Sequence, residues 1–102
     1  MNEIANLQPP ANEVAPLGVP HSIEAESSVL GGLLLDNSAW DRMGDLLSDN
    51  DFYRHEHKLI FGAISSLING SKPADVITVF EQLQNQGKAD GIGGLGYLNS
   101  LA

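Results

Sequence analysis

Apolar side chains return at three- and four-residue steps in five stretches of this chain, and polar turn-formers separate the stretches. In the first, Ile23, Val29, Leu30, Leu33 and Leu34 make one buried helical face. Ser22 stands where a hydroxyl caps that helix, and Glu24 and Glu26 fall in its first turn, where the helix dipole favours negative charge. Asp36, Asn37 and Ser38 supply the stop and the next cap. "AWDRMGDLL" then places Trp40, Met43 and Leu47 on one side of a short second helix. The polar turn "SDNDFYR" brings in Phe52 and Tyr53, expected as core anchors or lids.

From Arg54 to Asn69, "RHEHKLIFGAISSLIN" carries Leu59, Ile60, Ala63, Ile64, Leu67 and Ile68 on one arc, which predicts the strongest and most central helix. Gly70 occupies the place of a left-handed C-terminal cap, and "SKPAD" turns into Asp75, a good N-cap. "VITVFEQLQNQG" opens with β-branched residues that would suit a strand. Val76, Phe80 and Leu83 nevertheless keep helical spacing, and Gly87 closes the segment, so a helix is predicted. Leu95, Leu98 and Leu101 mark a last helix cut short by the chain end, as in a fragment of a longer protein.

Residues 1–19 carry three of the five prolines, no basic residue and no apolar face, which predicts a flexible, disordered tail. The expected architecture is all-α: a compact bundle of about five short helices over residues 20–102, preceded by that tail.

Gly31 and Gly32 interrupt the first helix, at a cost of roughly 1 kcal/mol each relative to alanine. Ser27 and Gly31, like Ser28 and Gly32, are four residues apart, so Ser27, Ser28, Gly31 and Gly32 read as a helix-packing seam that lets a neighbouring helix come close. The competing reading ends the helix at Gly31 and makes "LLL" a short strand.

Charge narrows the possible functions. Thirteen acidic against five basic side chains give a net charge of -8, with no lysine or arginine cluster, so a phosphate backbone would be repelled. There is no cysteine, hence neither a disulfide nor a thiolate metal site. The N-terminus lacks the layout of a secretory signal, and the longest apolar run is too short to span a bilayer. An intracellular, soluble protein is expected.

Candidate chemistry is sparse. Gly91, Gly93 and Gly96 fit the spacing of a dinucleotide loop, but a polar "QNQGKAD" stands where a strand should, so a turn before a packed helix is the better reading. No phosphate-binding loop occurs. His55, Glu56 and His57 are adjacent and point different ways on a helix, which favours hydrogen bonding at the helix start by His57 over a metal. Asp41, Asp45, Asp49 and Asp51 lack the ligand ladder of a calcium loop and read as a solvated face. No catalytic residue, cofactor or metal ligand can be nominated.

The stretches "PHSIEAE" at 20–26, "VLGGLLLDN" at 29–37, "DFY" at 51–53 with His57 and "IF" at 60–61, "PADVIT" at 73–78 and "GGLGYL" at 93–98 together resemble the N-terminal domain of DnaB-type replicative DNA helicases. Ala74 departs from the larger aliphatic usual in that family, and Gly91 and Gly96 make the last segment richer in glycine.

The resemblance implies a helical head that helps form the collar of a homo-hexamer and receives primase, with a helicase loader as a further partner. ATP and magnesium would belong to a motor domain absent from this chain, so the fragment itself would neither hydrolyse ATP nor unwind DNA. It also implies a cytoplasmic, bacterial location at the replication fork, with no membrane contact. Leu95 and Tyr97 are the candidates for partner contact, in the part of the head offered to primase or to a second head. Rival readings are a direct nucleic-acid binder, a generic acidic adaptor, or a small hydrolase using His55, Glu56 or the aspartates.

Overall fold

The computed structural model describes residues 22–102; the expected tail at 1–19 and the start of the fold near Pro20 lie outside the described residues. Among these, five α-helices surround one core and no strand occurs. Helix α1 spans Ile23–Leu35, capped by the Ser22 hydroxyl, which accepts the Ala25 N–H at 2.9 Å. It runs through both glycines, so the short strand after Gly31 does not form. Leu30, Leu33 and Leu34 are buried along it.

The Asp36 carboxylate ends α1 and accepts both the N–H and the hydroxyl of Ser38, which opens a 3-10 turn over Asn37–Ala39. The expected second helix is broken. α2 spans only Trp40–Met43, followed by a second 3-10 turn over Gly44–Leu46. Met43 leaves the helical region (φ -133°), and the Trp40 ring lies where a side chain on Gly44 would sit. Trp40, Met43 and Leu47 still pack against the core.

After a further turn over Asp49–Asp51, Phe52 is buried with its ring centroid 5.0 Å from that of Phe61. Tyr53 corrects the sequence reading: its side chain is 75% exposed and is neither a core anchor nor a lid. Phe52 has extended backbone, where successive side chains point to opposite sides, so turning Phe52 inward turns Tyr53 out.

Helix α3, His55–Asn69, is the central element, buried along His57, Ile60, Phe61, Ala63, Ile64 and Leu67. Its cap differs from expectation. Gly70 has φ -88° and stays right-handed, while Ser71 takes the left-handed conformation at φ 60°. The N–H of Lys72 reaches the Leu67 carbonyl at 2.8 Å and that of Ser71 the Ile68 carbonyl at 2.9 Å, so the closing motif falls one residue later than the glycine suggests.

Helix α4, Val76–Asn85, starts on Asp75, whose carboxylate accepts the Thr78 N–H while Thr78 Oγ1 accepts the Asp75 N–H. It buries Val79 and Leu83 and closes on Gly87 at φ 73°. The segment entering α4 is held by Asn37, whose side chain accepts the Ala74 N–H at 2.9 Å and donates to the carbonyls of Ala74 and Leu33 at 2.8 and 2.7 Å.

Helix α5, Gly94–Leu101, is entered through Gly93 and Gly94, both at positive φ, and buries Leu98 completely. Its end crosses α1 at Gly31, where a Cβ would fall on the Leu101 carbonyl oxygen. The seam is narrower than the four-residue stripe. Ser27 is half-buried, Ser28 and Gly32 are exposed, and a Cβ on Gly32 would meet nothing within 4 Å. Gly32 lies about 200° around the helix from Leu30 and so faces away from the core.

Candidate functional site

Two ionisable side chains occupy apolar stripes. Glu26 sits four residues before Leu30 on the buried arc of α1, and His57 shares the buried arc of α3 with Ile60, Phe61 and Ile64. Both are fully buried, which is costly unless every polar atom finds a partner.

The partners are present. Glu26 Oε2 accepts the Tyr53 N–H at 2.6 Å, and Oε1 lies 2.7 Å from His57 Nδ1 and 3.4 Å from the Arg54 N. On the other side of the imidazole, Nε2 lies 2.6 Å from the Tyr97 hydroxyl. A proton on Nδ1 donated to Glu26 leaves Nε2 to accept from Tyr97, which satisfies both ring nitrogens. The Tyr97 ring stacks on the imidazole, with centroids 5.9 Å apart and planes at 16°. This chain of bonds joins α1, α3 and α5 through the interior.

Carboxylate, imidazole and hydroxyl in series have the composition of a hydrolytic triad, but a triad presents its hydroxyl to a substrate. Here the Tyr97 hydroxyl points into the interior, against the fully buried His57. Recesses of about 300 and 270 Å³ are lined by Leu47, Asp49 and Phe61 and by Leu67, Lys72 and Glu81 respectively, without Glu26, His57 or Tyr97. Among the described residues no group of three or more His, Cys, Asp or Glu could hold a metal ion. Nor is any helix there long and apolar enough to cross a membrane.

Above this buried chain lies a half-buried ion pair. Arg54 Nη2 contacts Glu56 Oε2 at 2.5 Å, and that hydrogen bond holds the guanidinium's pKa above, and the carboxyl's below, their ordinary values. Both groups are solvated, so the pair adds little stability. The guanidinium carbon is 6.0 Å from the Tyr97 ring centroid, within cation–π range.

Leu95 and Tyr97 are both half-buried, but the structure does not bring them together. Two residues apart on α5, they flank the buried Leu98 on opposite sides. The Tyr97 hydroxyl points inward instead of to the surface, and His57 bonds across the bundle instead of to backbone at its own helix start. The helix-dipole role of Glu26 does not anticipate its pairing with His57. The available signal was a polar residue on each of two apolar stripes, Glu26 with Leu30 and Leu33, and His57 with Ile60, Phe61 and Ile64.

Compared with known proteins, residues 18–102 match the family model described as the DnaB-like helicase N terminal domain. The chain belongs to this family. It is 45% identical over 84 residues to the replicative DNA helicase DnaB of Buchnera aphidicola subsp. Baizongia pistaciae, covering 82% of this chain and 18% of that protein. It is 41% identical over 83 residues to the DnaB of Haemophilus influenzae, covering 81% of this chain and again 18% of the relative. The crystal structure of the N-terminal domain of DnaB helicase from Mycobacterium tuberculosis superposes with a TM-score of 0.77 at 40% identity, over 81% of this chain and 58% of that one. The chain thus spans 18% of the length of these curated relatives. The match is to the N-terminal domain of DnaB.

Proposed function

We propose that this chain is the cytoplasmic head of a bacterial replicative helicase, an interaction domain that joins the collar of a homo-hexamer and receives primase. In this reading the head binds no nucleotide or metal of its own; ATP and magnesium serve the motor domain, and a helicase loader is a further partner of the assembled ring. One observation carries the assignment of a contact face: the Arg54 guanidinium lies over the Tyr97 ring, and Tyr53, the residue before Arg54, is 75% exposed. Tyrosine and arginine are the residue types that dominate interface hot spots. Leu95, on the opposite flank, is the candidate contact for a second head.

The net charge of -8 argues against the rival reading of a direct nucleic-acid binder. DNA affinity that stays negligible as salt is lowered agrees with this; a steep rise at low salt would restore the rival. Titrating the chain against the C-terminal helicase-binding domain of its cognate primase by calorimetry, with light scattering on the same sample, tests the main reading. Saturable heat that Tyr53→Ala weakens supports the Tyr97 flank. No heat from a folded, monomeric chain overturns a primase contact made by this head alone.

A further inference from the structure

We infer that Glu26, buried beneath the surface, is a positioning residue for the partner-facing flank and orients Tyr53, Arg54 and Tyr97 together; the inference rests on the primase contact proposed above. One carboxylate reaches all three. It holds the backbone of Tyr53 and Arg54 through their N–H groups at 2.6 and 3.4 Å, and it reaches Tyr97 through His57, with links of 2.7 and 2.6 Å.

The surface residues have few other restraints on that flank. Tyr53 projects into solvent from the backbone that Glu26 holds. The Tyr97 ring is fixed by its hydroxyl bond and by the imidazole stack, with Gly93 close enough that a Cβ there would come within 3.0 Å of Tyr97 Cβ. Arg54 is then placed over that ring and tied to Glu56. Side chains ordered before association do not lose rotamer freedom on binding, so Arg54 and Tyr97 are preorganised. The role is geometric and needs an acceptor more than a charge. A glutamine at position 26 would still accept the Tyr53 N–H, and its amide could donate to His57 in the other tautomer, leaving Nε2–H to face Tyr97; only the long 3.4 Å contact with the Arg54 N–H would be lost.

The test measures affinity for the same primase domain by calorimetry, at a temperature where circular dichroism shows each variant fully folded. Tyr97→Phe keeps the ring and removes only the hydroxyl, and should bind about three- to tenfold more weakly. Glu26→Gln should bind like the parent chain, and Glu26→Leu, with no acceptor, should bind more weakly than Glu26→Gln. If Glu26→Leu does not fold, Tyr97→Phe decides. Unchanged affinity in Tyr97→Phe while Tyr53→Ala weakens binding would overturn the positioning role and leave the contact face standing. Equal losses in Glu26→Gln and a folded Glu26→Leu would also overturn it, in favour of a charge effect. Unchanged binding in Tyr53→Ala would remove the contact face itself, and the inference with it.

Discussion

The carbonyl oxygen of Leu101 occupies the space a side chain on Gly31 would need, so α5 ends against the bare backbone of α1. Its neighbour Gly32 faces solvent with nothing within 4 Å of a Cβ. Alanine at the two positions should therefore act in opposite directions. Gly31→Ala must push α5 away, a net loss of about 1–2 kcal/mol after its gain in helix propensity. Gly32→Ala should stabilise by roughly 0.5–1 kcal/mol, since only the propensity changes. Urea unfolding followed by Trp40 fluorescence and circular dichroism checks both, and a destabilising Gly32→Ala would contradict the account.

That pair also shows what was legible in the sequence. Local rules located the helices: the caps at Ser22 and Asp75 and the stripes of α1 and α3 depend on residues within a turn or two of each other. The glycine pair flagged a close approach, yet only the position of α5 decides which glycine makes it. Glu26 and His57 are 31 residues apart, and no local pattern pairs them. The broken α2 depends on where the Trp40 ring settles, and the left-handed Ser71 on where α3 stops, both fixed by packing.

Asn37 substitutes for a strand partner. Its amide satisfies the N–H and carbonyl of the fully buried Ala74 and also caps the Leu33 carbonyl, which fastens the entry to α4 onto the end of α1. Asn37→Ala leaves those backbone groups without partners and should cost about 2–3 kcal/mol. Faster amide exchange at Ala74 in the variant would localise the loss; unchanged protection there would show that the clamp is not what holds the segment.

The start of α4 should respond to acid. The Asp75 carboxyl is held below the usual carboxylate range, chiefly because it accepts the Thr78 N–H. A carboxyl depressed in the folded state adds stability above its unfolded value, near pH 3.9, and loses that contribution as pH falls through the folded value. Asp75→Ala should accordingly cost about 1 kcal/mol at neutral pH, with the gap from the parent narrowing as pH falls below the unfolded value. Asp75→Asn keeps a capping acceptor without the titration, so its stability should fall less steeply between pH 5 and pH 3. A parent chain and an Asn variant with identical acid profiles would remove Asp75 as a contributor.

The buried pair makes the sharpest energetic test. Glu26→Leu deprives His57 Nδ1 and the Tyr53 and Arg54 N–H groups of their acceptor, and His57→Leu leaves the buried Glu26 side chain with only those two backbone N–H partners. Leaving a buried polar group without its partner costs about 1–3 kcal/mol, and more where the group is charged. Replacing both side chains leaves neither facing an unpaired partner and adds apolar contact, although the two backbone N–H groups and the Tyr97 hydroxyl still lack partners. The double variant should thus be less destabilised than the sum of the singles, by about 2 kcal/mol or more in a double-mutant cycle. Additive losses would mean that the two side chains stabilise the bundle independently, and that the bond across α1 and α3 has no energetic coupling of its own.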